Sequence, residues 1–193
     1  MVDYAVEIPS IYSMPLYDAD ACTAMIDYAR RMNAWTQAVV SVTDDEQRFI
    51  SVVNRKTRLA SAFTPEADST IMKEFDARMN DTVKPLVRRL WSVHLTEHTG
   101  THMVRYVPGN YYAAHNDTGL NLLDRYFSVV CYLNDDFQGG HTSFPCLGHS
   151  VAPERGKAIV FPSTYTHCAE PISAGEKYVF VSWLKGPVPI SWI

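Results

Sequence analysis

The chain has 193 residues, 47% apolar and 20% charged, with a formal net charge of −4. That length corresponds to about one domain and can bury a substantial core without disulfides. The acidic balance argues against nucleic acid as a partner, because Lys and Arg cluster only in the short pieces Arg30-Arg31, Arg55-Lys56-Thr57-Arg58 and Arg88-Arg89.

Asp3 and Glu7 stand where a secretory signal would carry basic residues, and no apolar run approaches the ~20 residues of a membrane span. Cys22, Cys131, Cys146 and Cys168 are few and irregularly spaced, which fits reduced thiols. The expectation is a cytoplasmic protein with no membrane partner. Asp18 or Asp20 can cap a helix whose apolar residues Cys22, Met25, Ile26, Ala29 and Met32 recur at helical spacing. Residues 35–42 and 49–53 are β-branched and aromatic enough to be strands. Thr64-Pro65-Glu66 predicts the start of a second helix, with a capping hydroxyl, proline in the first turn and an acid at the positive dipole end. Its stripe runs through Ile71, Phe75, Met79, Val83, Leu86, Val87 and Leu90, and Pro85 kinks or divides it. His94, His98 and His102 recur every fourth residue and are expected to form a polar helix end, favoured by the negative dipole.

After Gly100 the texture changes to short β-rich runs at 103–107, 127–133, 158–161 and 178–184. Turn clusters such as Pro108-Gly109-Asn110 and Gly139-Gly140 separate them. Helices followed by many short strands predict an α+β fold, a sandwich or jelly roll with helices against one sheet. One domain is expected over 1–193, with helical support mainly in 1–100 and the strand-rich core at about 101–185.

Chemistry concentrates on His115, Asp117, His167 and Lys177. In an extended segment His115 and Asp117 point to one face, because side chains alternate with period two. A second histidine brought in by the fold completes a set of two histidines and one carboxylate, the arrangement of non-haem Fe(II) oxygenases. An H-x-D triplet by itself is a common chance match, so the flanking residues decide. Arg105 to Asp117 (RYVPGNYYAAHND), Val130 to Asp135 (VCYLND), Gly139 to Pro145 (GGHTSFP), Gly156 to Pro162 (GKAIVFP), His167, and Gly175 to Trp183 (GEKYVFVSW) follow in order. This set resembles the prolyl 4-hydroxylase type of Fe(II)/2-oxoglutarate-dependent dioxygenases over about residues 103–184.

The resemblance implies a double-stranded β-helix, or jelly-roll, core. It implies that His115, Asp117 and His167 hold Fe(II), that Lys177 pairs with the distal carboxylate of 2-oxoglutarate, and that Tyr106 and Tyr132 hydrogen-bond this co-substrate. No catalytic residue is implied beyond the metal centre. O2 is the second co-substrate, and ascorbate is a candidate stimulant. An aspartate at 117, where related halogenases carry a small residue, favours hydroxylation with release of succinate and CO2. Tyr112 matches a position near the substrate mouth. His141 replaces a residue often acidic in the family and reads as a turn histidine or a substrate contact. Phe161, Trp183 and Cys168 read as core.

For the substrate, a small amino-acid-like molecule or natural-product intermediate is the first reading and a prolyl residue in a peptide or protein the second. A non-catalytic metal and 2-oxoglutarate sensor is the remaining class. Residues 42–63 can form a lid in which Arg55 and Arg58 meet a substrate carboxylate or are simply solvated. The loop 116–125 and the tail 186–193 are further candidates for the mouth.

Overall fold

The computed structural model of the protein describes residues 3–46, 48–119 and 122–187. The chain opens with β1 (Ala5–Ile8) and β2 (Ile11–Pro15), followed by helix α1 (Ala19–Met32). Asp18 caps α1 by accepting the Ala21 N–H at 2.8 Å, and Asn33 ends it in the left-handed conformation with φ 45°. Five short strands come next: β3 (Thr36–Gln37), β4 (Val40–Thr43), β5 (Phe49–Val52), β6 (Arg58–Leu59) and β7 (Ser61–Phe63). Helices α2 (Thr70–Arg78) and α3 (Lys84–Trp91) precede the strand-rich half. That half contains β8 (His98–Tyr106), β9 (Tyr111–His115), β10 (Arg125–Tyr132), β11 (Gln138–Gly139), β12 (Thr142–Phe144) and β13 (His149–Val151). It closes with β14 (Lys157–Pro162), β15 (His167–Ala169), β16 (Ile172–Ala174) and β17 (Lys177–Lys185).

Eight strands form the major sheet in the order β1-β2-β14-β10-β17-β8-β7-β3, and five form the minor sheet in the order β13-β12-β15-β9-β6. β10 shows why the major sheet has two different faces. Its odd residues Phe127, Val129 and Cys131 join the core beneath the helices, whereas Tyr132 and the partly buried Val130 face the core shared with the minor sheet. β14 repeats the pattern, with Ala158 and Val160 on the helical side and Ile159 and Phe161 opposite. α1 supplies Cys22, Met25, Ile26 and Ala29 to the helical side, and α2 and α3 supply Ile71, Met72, Phe75, Leu86 and Val87. The result is a jelly-roll core with helices on the outer face of the major sheet.

Two local expectations need correction, and a third is borne out in an unforeseen form. The second helix starts at Thr70 rather than near Thr64, because the Ser69 N–H closes a turn onto the Glu66 carbonyl at 3.0 Å. Ser69 then provides the cap, its Oγ accepting the Met72 N–H at 3.3 Å. Pro85 does divide the helical stripe, but a π-helical turn at Met79–Val83 joins the halves and spares the bond that proline cannot donate. The histidines at 94, 98 and 102 do not end a helix: α3 stops at Ser92 with φ 53°, and β17 recruits His98 and His102 into β8. His98 Nε2 lies 2.8 Å from Asp76 Oδ1 on α2. The first half is also less helical than expected, since it contributes seven strands.

Candidate functional site

β9 and β15 are adjacent and antiparallel in the minor sheet, with His115 directly opposite His167. Pairing in this register, rather than nearness in sequence, brings the two imidazoles together. Asp117 follows two residues after His115, its backbone N–H donating to the Ser163 carbonyl at 3.0 Å. His115 Nε2 lies 3.5 Å from Asp117 Oδ1 and His167 Nε2 lies 3.4 Å from Asp117 Oδ2. The three ligand atoms are all within 4.8 Å of one another.

The other ring nitrogens are engaged. His115 Nδ1 is 2.8 Å from the Ala113 carbonyl and His167 Nδ1 is 3.0 Å from the Tyr165 carbonyl. A carbonyl can only accept, so Nδ1 carries the proton and each Nε2 presents a lone pair to the centre. Ser128, fully buried on β10, donates its hydroxyl to Asp117 Oδ2 at 2.6 Å. Burial pushes the Asp117 carboxyl up, yet the hydrogen bonds and charge of His115 and His167 outweigh it and hold it well below the usual carboxylate range. Burial lowers the pKa of His115, against the pull of Asp117.

Lys177, the first residue of β17, is 2% exposed. Its Nζ donates to the Gly140 carbonyl at 2.5 Å and has no carboxylate within ion-pair distance among the described residues. Burial lowers its pKa to about 7. The rings of Tyr106 and Tyr132 flank it, with centroids 5.4 and 5.2 Å from Nζ.

All four groups open onto one cavity of about 550 Å³ between the two sheets. Tyr106, Tyr112 and Arg58 line it too, as do residues 39–42 of the β4 arm and loop residues Asn116, Thr118, Gly119 and Leu122. Tyr112 stacks on His115 at 3.5 Å between centroids, and the Arg58 guanidinium lies 4.6 Å above the Tyr112 ring. Several expectations change here. Arg58 is not solvated but 8% exposed, because β6 pairs with β9 and turns the side chain inward. Arg55 is exposed in the turn before β6 and lies outside the cavity. Tyr132 does not line the cavity: its hydroxyl donates to Thr142 Oγ1 at 2.7 Å, and Thr142 forms the wall. His141 is half-buried and outside the lining, its carbonyl accepting the Glu170 N–H at 2.9 Å. Cys168 is half-buried on the cavity wall rather than in the core, and Trp183 is core and wall at once. Most of the tail proposed for the mouth, residues 188–193, lies outside the described residues.

Sequence reasoning did not single out Arg125, Ser128 or an inward-facing His102. Burial drives His102 down to about 4, so it is neutral in the cavity wall. Only the alternation of β10, which opposes Ser128 to a buried face, offered a signal for the serine.

Two imidazole nitrogens and a carboxylate on one side of a shared centre suit divalent iron and leave positions free for other ligands. An unpaired buried ammonium in the same cavity suits an anionic ligand group. The donor set therefore fits Fe(II) together with a dicarboxylate.

Residues 101–185 match the family described as the 2OG-Fe(II) oxygenase superfamily. A protein of Acanthamoeba polyphaga mimivirus assigned as a prolyl 4-hydroxylase is 28% identical over 133 residues, 56% of this chain and 55% of that one. A PKHD-type hydroxylase of a Synechococcus species is 29% identical over 123 residues, 61% of this chain and 48% of that one. The chain thus spans about half the length of these relatives. The crystal structure of a Pseudomonas putida prolyl-4-hydroxylase superposes with a TM-score of 0.73 at 20% identity, covering 92% of this chain and 93% of that one, a likeness of fold. The matched segment, residues 101–185, is thus similar to the 2OG-Fe(II) oxygenase superfamily, the relatives it resembles include prolyl 4-hydroxylases, and the His115, Asp117 and His167 donor set supports Fe(II) with 2-oxoglutarate as cofactors. Among the described residues no helix is long and apolar enough to cross a membrane.

Proposed function

We propose that the protein is an Fe(II)- and 2-oxoglutarate-dependent hydroxylase acting on an unactivated C–H bond of a small amino-acid-like substrate. The observation that carries this reading is the convergence of His115, Asp117, His167 and the unpaired, buried Lys177 on one cavity. His115 Nε2, His167 Nε2 and Asp117 hold the metal, with both imidazole tautomers fixed by backbone carbonyls and the carboxylate oriented by Ser128. Lys177 meets the distal carboxylate of 2-oxoglutarate, and Tyr106 lines the space beside it. When bound, the metal and co-substrate supply oxidative decarboxylation to succinate and CO2 coupled to oxygen transfer into the C–H bond.

The protein's own contribution is geometric and electrostatic. The two sheets hold the four groups in register, and Tyr112 stacked on His115 fixes one edge of the space where a substrate carbon can sit. The names of the relatives favour a second reading, a prolyl residue of a peptide or protein as substrate. Succinate formation from 2-oxoglutarate under air with added Fe(II) tests the proposal, using wild type, His167→Ala and Lys177→Ala with a panel of proline, other amino acids and prolyl peptides. Iron-dependent succinate, abolished in His167→Ala and needing more co-substrate in Lys177→Ala, is expected. Succinate that survives His167→Ala would remove the reading, and stimulation by prolyl peptides alone would select the second substrate class.

A further inference from the structure

The charged groups lining the cavity are unequal in sign: Arg58, Arg125 and Lys177 face a single acid, Asp117. On the reading above, Fe(II) compensates Asp117 with one charge to spare, and 2-oxoglutarate brings two negative charges for that surplus and Lys177. Two guanidinium charges then stay uncompensated. Arg58 is more than nine-tenths buried, has no acidic partner among the described residues, and its Nε is buried without a hydrogen-bond partner. Its Nη1 donates to the Val39 carbonyl at 3.0 Å, and the guanidinium also hydrogen-bonds the Tyr106 hydroxyl. Arg125 Nε is likewise buried and unpartnered, and its guanidinium lies 3.9 Å over the Trp183 ring. Arg58 and Arg125 bear on the same two cavity groups, His102 and Tyr112. Burying the Arg58 guanidinium without an acid is unfavourable unless a ligand completes it, and the half-buried Arg125, which donates from Nη1 to the Asp117 carbonyl at 3.4 Å and feels Asp117 and Asp124, keeps its Nε free for the same ligand.

We propose that Arg58 and Arg125 are specificity-determining residues that receive a carboxylate of the substrate itself, distinct from the carboxylates of 2-oxoglutarate. The proposal rests on the hydroxylase reading. Planar guanidinium donors match a carboxylate in two-point hydrogen bonding. Tyr112 ties the two together: its ring lies 4.6 Å from the Arg58 guanidinium and stacks at 3.5 Å on the metal ligand His115, so a group anchored on Arg58 lies close to the metal site.

Calorimetric titration of the protein loaded with Mn(II) and 2-oxoglutarate tests this. The probes are matched pairs: L-proline with L-prolinamide, L-leucine with L-leucinamide, and N-acetyl-aspartyl-prolinamide with N-acetyl-asparaginyl-prolinamide. We expect at least one acid to bind about tenfold or more tighter than its carboxamide partner, with Arg58→Gln removing most of that preference. Arg58→Lys retains part of it, and Arg125→Gln reports independently should the Arg58 variants fold poorly. Preference within an amino-acid pair identifies a free α-carboxylate, and preference within the peptide pair identifies an acidic side chain. Acids that bind no better than their amides, or a preference untouched by both glutamine variants, would overturn the proposal. Binding of 2-oxoglutarate itself is measured first, without any probe. Its absence would remove the hydroxylase reading and this proposal together, whereas its presence without acid preference removes only this proposal.

Discussion

Ser128 touches no ligand-facing space, yet its hydroxyl decides which oxygen of Asp117 is held and in what direction. Ser128→Ala leaves that oxygen without a donor in a fully buried setting, so metal affinity should fall by about 10- to 100-fold while the fold persists. Titration with Mn(II) or Fe(II) checks this; unchanged affinity would mean that the two histidines orient Asp117 by themselves. Lys177 provides a prediction in pH. Burial holds its pKa at about 7, below the ordinary lysine value. A dicarboxylate binds the protonated ammonium, so 2-oxoglutarate affinity should be greatest below pH 7 and should weaken by up to about tenfold per unit as pH rises above it. Affinity measured from pH 6 to pH 9 tests the sign, and a flat profile would contradict it. The clustering of His115, Asp117, His167 and Lys177 was legible because each lies in a short motif. The burial of Arg58, for which solvation was one of two readings, and the place of Ser128 beside Asp117 were not, because both come from contacts with residues distant in sequence, which local pattern does not encode.

Elements deliver these side chains with particular backbone demands. Gly140, between β11 and β12, has φ 67°, and a Cβ there would come within 2.3 Å of Ile172 Cδ1 and 3.2 Å of Lys177 Cδ. Its carbonyl is also the acceptor for Lys177 Nζ. Gly140→Ala should therefore lower both thermal stability and 2-oxoglutarate affinity, a pairing that a purely structural glycine would not show. At the other face, Asp18→Ala removes the cap of α1 and should cost about 1 kcal/mol in urea unfolding, with 2-oxoglutarate affinity unchanged, since the cap is at the opposite end of α1 from Arg30, the residue of the helix that contacts Glu176 and Tyr178 beside Lys177. Strand identity after Gly100 was readable from alternation and turns. The start of α2 was not, because Thr64-Pro65-Glu66 satisfies the local grammar of a helix while the turn onto Glu66 places the cap at Ser69. The histidine spacing misled for a similar reason: residues four apart fit a helix face, but the pairing of seven β8 residues with β17 outweighs that preference.

At the scale of the molecule, the major sheet separates two tasks. Its outer face buries the helices in an apolar core, and its inner face shares a second core and a polar cavity with the minor sheet. Metal ligands come from the minor sheet and the segment just after it, while Lys177 comes from the major one, so the site exists only when the sheets are assembled. The sequence motifs spelled out the strands that carry the site but not the closure of the cavity by β6 and the β4 arm, which depends on pairing with β9 and on exposed positions such as Val39 and Val42. The most direct measurement is calorimetric binding of 2-oxoglutarate to wild type, His167→Ala and Lys177→Ala at pH 6.5, each with and without Mn(II). The account predicts binding by wild type only with the metal, loss in His167→Ala, and weakening by about tenfold or more in Lys177→Ala. Binding that needs no metal, or that is indifferent to Lys177, would contradict it.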